Sequence, residues 1–168
     1  MLYLLDANVL ITASRQYYAI ERVPEFWDWL RHMGEAGRIK IGREMYEEVN
    51  EGNDALAKWA RRPYVERDLV LDEVVDVDRV RRVVKEGYAP DLTDDEFEKL
   101  GRDPFLVAYA LVDQRDRSVV TVERSKPKRK RGNRHIPDVC SDLGVPCCDT
   151  FELTTALDFR TDWKGKGK

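Results

Sequence analysis

Four acidic residues stand where a carboxylate could do chemistry. Asp6 directly follows the apolar run 1–5 and precedes another apolar run, so a buried strand ends in a carboxylate rather than in a plain turn. Glu48 lies within REMYEEVNEG, Asp103 opens DPFLVAYAL, and Glu123 follows the segment SVVTV. Carboxylates that meet in one pocket either take up protons or share a cation.

The chemistry open to such a cluster is metal-assisted hydrolysis. Hard oxygen ligands without a neighbouring His or Cys suit Mg²⁺ or Mn²⁺. These ions activate water and stabilise the leaving oxygen of a phosphodiester. We expect all four acids to be catalytic and to bind the metal, and Asn8 and Thr121 to orient a carboxylate or the attacking water.

Each acid also has an ordinary structural explanation. Asp103 before Pro104 is typical of a helix cap, and a glutamate in a charged helix is typical of a solvated face. Asp6 is the hardest to explain in that way, because apolar residues flank it on both sides. The sequence leaves open the choice among Glu44, Glu47 and Glu48, and between Glu123 and Asp113.

A basic run follows the fourth acid. RSKPKRKRGNRH, residues 124–135, holds seven Lys or Arg and no acid, so a chain of net charge −3 carries −10 outside it. A mostly acidic body with one basic loop is typical of a protein that holds a polyanion at one edge, although a solvated, disordered charge run has the same composition. The cations predicted to contact the phosphates of such a polyanion are Arg124, Lys126, Lys128, Arg129, Lys130 and Arg131.

Strands alternate with helices along the chain, which predicts an α/β fold with a mostly parallel sheet and helices on both faces. The predicted strands cover residues 2–5, 38–42, 69–75, 118–123 and 145–148, and a loop is predicted over residues 14–24. Thr93 and Glu96 form a predicted capping box. Because the carboxyl ends of parallel strands share one edge, Asp6, Asp103 and Glu123 should converge there, with Glu48 reaching over from its helix.

The length of 168 residues suits one domain, predicted over residues 1–160, followed by a flexible basic tail over residues 161–168. No apolar run is long enough to span a bilayer, and the N-terminus lacks the basic residues of a secretion signal. Cys140, Cys147 and Cys148 fit a reducing cytoplasm better than a disulfide framework or a zinc site.

With these residues in place, the sequence resembles the PIN-domain family. YLLDANVLI, MYEEVNEG, DPFLVAYAL and VVTVE are similar, in order and rough spacing, to the four acidic motifs of that family. FWDWL, EGNDALAKW and IPDVC resemble a prokaryotic PIN-like subgroup close to the toxin ribonucleases of type II toxin–antitoxin pairs.

The resemblance implies a three-layer α/β/α sandwich, RNA cleavage that depends on Mg²⁺ or Mn²⁺, a homodimer and an antitoxin partner. It assigns Asp6, Glu48 and Asp103 to the first three acids of the family. Glu123 stands where most members have Asp, so the fourth ligand is one methylene longer here.

The leading hypothesis is therefore a cytoplasmic, metal-dependent endoribonuclease. The alternatives are a non-catalytic RNA- or protein-binding module and an Asp-dependent phosphatase, although such phosphatases need a second Asp where this chain has Asn8. Arg15, Tyr17 and Tyr18 could contact RNA, pack in a loop or meet an antitoxin. His32 and His135 receive no role.

Overall fold

The computed structural model describes residues 1–165, in which four strands form one sheet. The strands are β1 (Leu2–Leu5), β2 (Ile39–Ile41), β3 (Arg117–Val120) and β4 (Cys147–Cys148). They lie in the order β2-β1-β3-β4, and every pair is parallel. Helices cover both faces of the sheet, so the fold is the predicted three-layer α/β/α sandwich.

The helices have the following bounds. They are α1 (Ala7–Thr12), α2 (Pro24–Glu35), α3 (Arg43–Asn50), α4 (Ala55–Ala60), α5 (Pro63–Leu69), α6 (Val77–Arg82), α7 (Asp94–Leu100), α8 (Asp103–Ala110), α9 (Ile136–Leu143) and α10 (Thr150–Ala156). Helices α1 and α6 continue into π-helical segments, Ala13–Tyr17 and Val83–Tyr88. The capping box of Thr93 and Glu96 forms at the start of α7 as predicted.

The strands end together at one edge of the sheet. Leu5 pairs with Ile41 on one side and with Val120 on the other, and Val120 pairs with Cys148. The residues that follow the strands therefore lie side by side, where open α/β sheets bind ligands. Helix α8, which buries six of its eight residues, packs against β1 and β3 and brings its first residue to the same edge.

Two regions differ from the prediction. Residues 69–75 do not form a strand: α5 extends to Leu69, and a single bridge joins Ile41 to Val70. The pairing of this segment with the edge strand β2 stops at Ile41, where β2 itself ends, and Val74 is 96% exposed. Helix α5 begins at Pro63, and proline suits the first turn of a helix because its missing N–H would have no partner there.

The predicted loop over residues 14–24 is also shorter than expected, because the helical path continues to Tyr17 before the chain turns. Near the other terminus, residues 161–165 of the predicted flexible tail contact α2. Trp163 donates a hydrogen bond to the carbonyl oxygen of Glu25 at 3.0 Å and stacks on His32. Residues 166–168 of that tail lie outside the described residues.

The three cysteines are free thiols: Cys140 is buried in α9, and Cys147 and Cys148 are half-buried in β4. Cysteine thus adds no covalent link between the layers. Within residues 1–165, no helix is both long and apolar enough to cross a membrane.

Candidate active site

Asp6 lies at the carboxyl end of β1 with 4% of its surface exposed. Its backbone N–H donates to Val120 O at 2.9 Å, which extends the pairing of β1 with β3. Its carboxylate caps α1 by accepting from the Asn8 N–H at 3.2 Å and also accepts from the Thr121 hydroxyl at 2.8 Å. Two hydrogen bonds therefore hold this carboxylate in one orientation, while Asn8 itself is exposed.

Glu123 is tied to Asp6 through Thr121. The buried Thr121 hydroxyl, which donates to Asp6, accepts from the Glu123 N–H at 3.2 Å. The Glu123 carboxylate accepts from the Ile136 N–H at 2.7 Å, at the start of α9, where a helix favours negative charge. His135 Nδ1 lies 3.9 Å from the other Glu123 oxygen and has no hydrogen-bond partner within the described chain.

Asp103 is the first residue of α8 and not its cap. Arg102 occupies the cap position, and no side chain hydrogen-bonds the start of this helix. The predicted cap role of Asp103 is therefore wrong, because the chain already has helical geometry one residue earlier. Within residues 1–165 the Asp103 carboxylate makes no hydrogen bond, so its orientation is less fixed than that of Asp6.

Arg102 links the start of α8 to α3. Its guanidinium donates to the carbonyl oxygen of Glu44 and, at 2.7 Å, to the carboxylate of Glu51. These contacts bring the helix that carries Glu48 next to the residue that precedes Asp103. Local sequence pattern does not indicate this role, because both partners lie more than fifty residues before Arg102 along the chain.

Glu48 is the glutamate of α3 that faces the other acids. Its charge raises the pKa of both Asp6 and Asp103. Glu44 instead lies beside Tyr109 of α8, where burial and then the charge of Glu44 raise the tyrosine pKa. Glu48 therefore lies inside the cluster, and Glu44, one helical turn earlier, lies outside it.

Two other acids that the sequence left open lie elsewhere. Glu47 is exposed on α3. Asp113 is exposed in the turn after α8 and accepts from the backbone N–H groups of Arg115 and Asp116, just before β3 begins at Arg117. Asp113 therefore belongs to the opposite edge of the sheet from Glu123.

The electrostatics tie the four carboxylates into one cluster. Burial, followed by the charges of Asp6, Glu123 and Glu48, raises the pKa of Asp103 from 3.8 to about 8. Burial raises the pKa of Asp6 to about 6; its two hydrogen bonds oppose the rise, and the charges of Glu123 and Glu48 add to it. The structure thus brings together Asp6, Glu48, Asp103 and Glu123, the four acids singled out in the sequence.

The cluster is not a ready-made metal cage. Within residues 1–165 no group of three or more His, Cys, Asp or Glu side chains stands ready to hold an ion. Its donor set nevertheless fits a small hard dication, since the donors are carboxylate oxygens whose mutual repulsion a cation would relieve. Mg²⁺ usually keeps several waters and needs only one or two carboxylates directly. A hydrated ion at Asp6 and Asp103, with Glu48 and Glu123 around it, fits that pattern.

The basic run of residues 124–135 is a loop anchored at both ends. At its start, the Ser125 hydroxyl and the Lys126 N–H donate to the Asp138 carboxylate at 2.5 and 2.8 Å. At its end, the Arg131 guanidinium donates to Glu96 and to Asp91, with its shortest bonds to each carboxylate at 2.8 Å. The loop is therefore positioned by specific contacts to the body of the protein.

These anchors divide the predicted RNA contacts into two classes. The charge of Arg131 is balanced by Asp91 and Glu96, and its guanidinium lowers the pKa of Glu96 to about 2. The role of Arg131 in this structure is therefore to anchor the loop to the body of the protein. Arg124 lines a cavity beside Glu123. The exposed cations at the tip are Lys126, Lys128, Arg129 and Lys130.

Tyr88 is a member of the site that sequence reasoning missed. It ends the second π-helical segment, is 7% exposed, and its hydroxyl has no hydrogen-bond partner in the described part of the chain. Burial, and then the charges of Asp103 and Glu123, raise its pKa, which locates the hydroxyl near both acids. Its sequence context, KEGY at a helix end, carries no signal of this placement.

The aromatic residues after α1 have different surroundings. Tyr18 stacks on Phe26 with ring centroids 4.1 Å apart and is a packing residue. Tyr17 is 47% exposed and meets Phe151 edge to face, with centroids 5.4 Å apart, at the rim of the cavity that Arg124 lines. Arg15 is exposed.

A family model described as "Domain of unknown function (DUF4411)" matches residues 3–161. The match covers almost the whole chain, which therefore belongs to this family. No curated protein shows significant similarity to the chain.

We expect Asp103→Asn to stabilise the metal-free protein in a pH-dependent manner. Because folding raises the Asp103 pKa from 3.8 to about 8, the native state keeps a proton that the unfolded state releases. The free energy of unfolding of the wild type should therefore fall as the pH rises from about 4 to about 8. In urea denaturation with EDTA, the variant should exceed the wild type by about 2 kcal/mol near pH 8.5 and by much less near pH 4. Asp113→Asn is the control and should change the free energy of unfolding little. A gain for Asp103→Asn that is equal at both pH values would contradict the raised pKa of Asp103.

Tyr88→Phe should also stabilise the metal-free protein, because it removes a buried hydroxyl that lacks a partner. We expect a gain of about 1 kcal/mol in the free energy of unfolding. Tyr46→Phe is the matched control: the Tyr46 hydroxyl donates to Ala60 O at 3.0 Å, so its loss should cost about 1 kcal/mol. Equal destabilisation by both variants would show that the Tyr88 hydroxyl is hydrogen-bonded after all.

Proposed function

We propose that this member of the DUF4411 family is a metal-dependent endoribonuclease that cleaves single-stranded or structured RNA with Mg²⁺ or Mn²⁺. The observation that carries the proposal is the electrostatic cluster of four acids at the carboxyl edge of a parallel sheet. The resemblance of their motifs to those of PIN domains supports the same reaction. The three-layer fold agrees with it.

The side chains of the cluster suggest distinct roles. A bound Mg²⁺ or Mn²⁺ would supply Lewis acidity at the scissile phosphate and at the attacking water. Asp6 and Asp103 would hold the ion, with Glu48 and Glu123 beside it. Both Asp6 oxygens already accept hydrogen bonds, so Asp103 is the better group to accept a proton from the water that attacks phosphorus.

The surroundings of the cluster suggest how RNA is held. An acidic site repels a phosphate unless cations are near, and Arg124 follows Glu123 directly in the chain. The anchored loop that follows Arg124 presents four more exposed cations, Lys126, Lys128, Arg129 and Lys130. These side chains would hold the RNA backbone while the carboxylates act on one phosphodiester.

We further propose that the protein is the toxin of a toxin–antitoxin pair, that it forms a homodimer and that it acts in the cytoplasm. The toxin, dimer and antitoxin proposals rest on the resemblance to the PIN-like toxin subgroup. The three free cysteines agree with a reducing compartment.

Two other functions fit the fold less well. An Asp-dependent phosphatase needs a second acid at the position of Asn8, whose side chain is exposed and cannot donate a proton as an acid does. A binding module that keeps the fold without catalysis has no need of carboxylates whose burial and mutual repulsion raise the pKa of Asp103. The following variant distinguishes that module from a nuclease.

Asp6→Asn should abolish RNA cleavage and leave RNA binding in place. Asn keeps the shape of the side chain but removes the charge that would hold the metal, so we expect a loss of at least about 100-fold in rate. The measurement is cleavage of labelled single-stranded RNA in Mg²⁺ and in Mn²⁺, with binding followed by fluorescence anisotropy. Cleavage by the wild type that persists in excess EDTA would rule out the mechanism.

The same variant tests the toxin proposal in cells. Expression of the wild type should halt growth, whereas Asp6→Asn, produced at the same level, should permit it. Growth arrest by both proteins, or by neither, would separate any nuclease activity from a toxin role.

Changing Lys128, Arg129 and Lys130 together to Gln should weaken RNA binding and flatten its salt dependence. Each lost phosphate contact lowers the slope of log K against log salt by about 0.7 for a single strand, so we expect a decrease of about 2. Arg131→Gln is the control: it should lower thermal stability by loosening the loop while changing the slope less. An unchanged slope in the triple variant would assign the loop to another ligand.

A further inference from the structure

A cavity of about 580 Å³ adjoins the acidic cluster, and the inference drawn from it rests on the proposed nuclease function. Thr121 and Glu123 belong to both the cluster and the cavity wall. The opposite wall is the start of α10, and a third side is formed by the end of the π-helical segment after α1. A ligand group in the cavity therefore lies next to a phosphate at the carboxylates.

Two exposed aromatic rings stand at the cavity. Tyr17 is 47% exposed and Phe151 is 53% exposed, and both line it. Their ring centroids are 5.4 Å apart with an interplanar angle of 68°. Each residue thus keeps about half of its surface exposed and can offer part of its ring to a flat partner, and aromatic side chains are the usual stacking surface for unpaired bases.

The charge of the lining favours a base over a phosphate. Its acids are Glu123, Asp149 and Glu152, whereas Arg124 is the single cation among the described residues that line it. Asp149 and Glu152 are held in place at the first turn of α10, where Asp149 accepts from the Glu152 N–H at 2.9 Å and Glu152 accepts from the Asp149 N–H at 2.8 Å. Carboxylates repel phosphate but accept hydrogen bonds from the amino group of adenine, cytosine or guanine.

We propose that this cavity is a base subsite: it takes one unstacked nucleobase of a single-stranded RNA, from the nucleotide next to the scissile phosphate. The base stacks on one of the two rings, meets the other edge to face, and turns its Watson–Crick edge toward the carboxylates. Bases with an exocyclic amino group are preferred, and uracil is disfavoured. The neighbouring phosphates lie outside the cavity, toward Arg124 and the tip of the basic loop.

The test is the binding of short single-stranded oligoribonucleotides to the full chain in EDTA, measured by fluorescence anisotropy. The probes are oligo(C), oligo(U) and oligo(C) with one abasic residue. Cytosine carries the exocyclic amino group that would donate to the carboxylates of the subsite, and uracil lacks it. The variants are Tyr17→Ala and Phe151→Ala. Tyr17→Phe keeps the ring, and Tyr64→Ala removes an aromatic residue that is 42% exposed on α5, away from the cavity.

We expect Tyr17→Ala and Phe151→Ala each to weaken oligo(C) binding about tenfold, while Tyr17→Phe and Tyr64→Ala bind like the wild type. The wild type should bind oligo(C) at least about threefold more tightly than oligo(U), and the abasic probe should reduce the effect of both alanine variants. If Tyr17→Ala and Phe151→Ala bind RNA as tightly as the wild type, the subsite is overturned. If they bind RNA normally but no longer bind a protein partner, the two rings form a protein contact.

Because binding is measured without metal, the two proposals fail separately. Absence of cleavage in Mg²⁺ together with the expected binding pattern contradicts the nuclease and keeps the base subsite. Cleavage in Mg²⁺ together with equal binding by every variant contradicts the subsite and keeps the nuclease.

Discussion

Mutual repulsion among four carboxylates at one edge of the sheet is the constraint on which the account of this protein depends. Parallel pairing in register ends β1 and β3 at the same level, so Asp6 and the residues after Val120 are neighbours. Helix α8 packs on the same strands and adds Asp103. Burial and like charge then raise the pKa of Asp103 to about 8. Such a cluster costs stability, and it becomes favourable when a dication is bound.

The surrounding structure opposes this repulsion with fixed donors. Thr121 and a backbone N–H orient Asp6, and the first turn of α9 receives Glu123. Arg102 ties α8 to α3, so that Glu48 approaches the cluster from its helix. These contacts fix the positions of Asp6, Glu123 and the helix that carries Glu48. Asp103 makes no hydrogen bond of its own within the described chain. This combination of several fixed groups and one carboxylate without a hydrogen bond is what the proposed proton transfer would need.

Sequence reasoning recovered what depends on local pattern and missed what depends on distant packing. Asp6 stood out because apolar residues flank it, and the alternation of strands and helices predicted the three-layer fold correctly. Glu44 and Glu48 lie one turn apart on the same helix face, so only the position of α8 distinguishes them. Tyr88 and Arg131 could not be assigned from the sequence, since the partners that define them lie on other elements. The strand predicted over residues 69–75 was wrong because an apolar segment also needs a neighbour long enough to pair with, and β2 ends at Ile41.

As proposed, the basic loop and the cavity would extend the site along the path of a single strand of RNA. Exposed cations at the loop tip suit phosphates, whereas the acidic, aromatic cavity suits a base, so the two surfaces would read different parts of one nucleotide chain. Glu123 joins both surfaces to the carboxylate cluster, because it lines the cavity and directly precedes the loop. The most direct test of that cluster is the Asp103 pKa, measured by NMR titration of ¹³C-labelled aspartate carboxyl groups in the metal-free protein. We predict a value of about 8 that falls when Mg²⁺ is added; a value near 4 in both conditions would contradict the account.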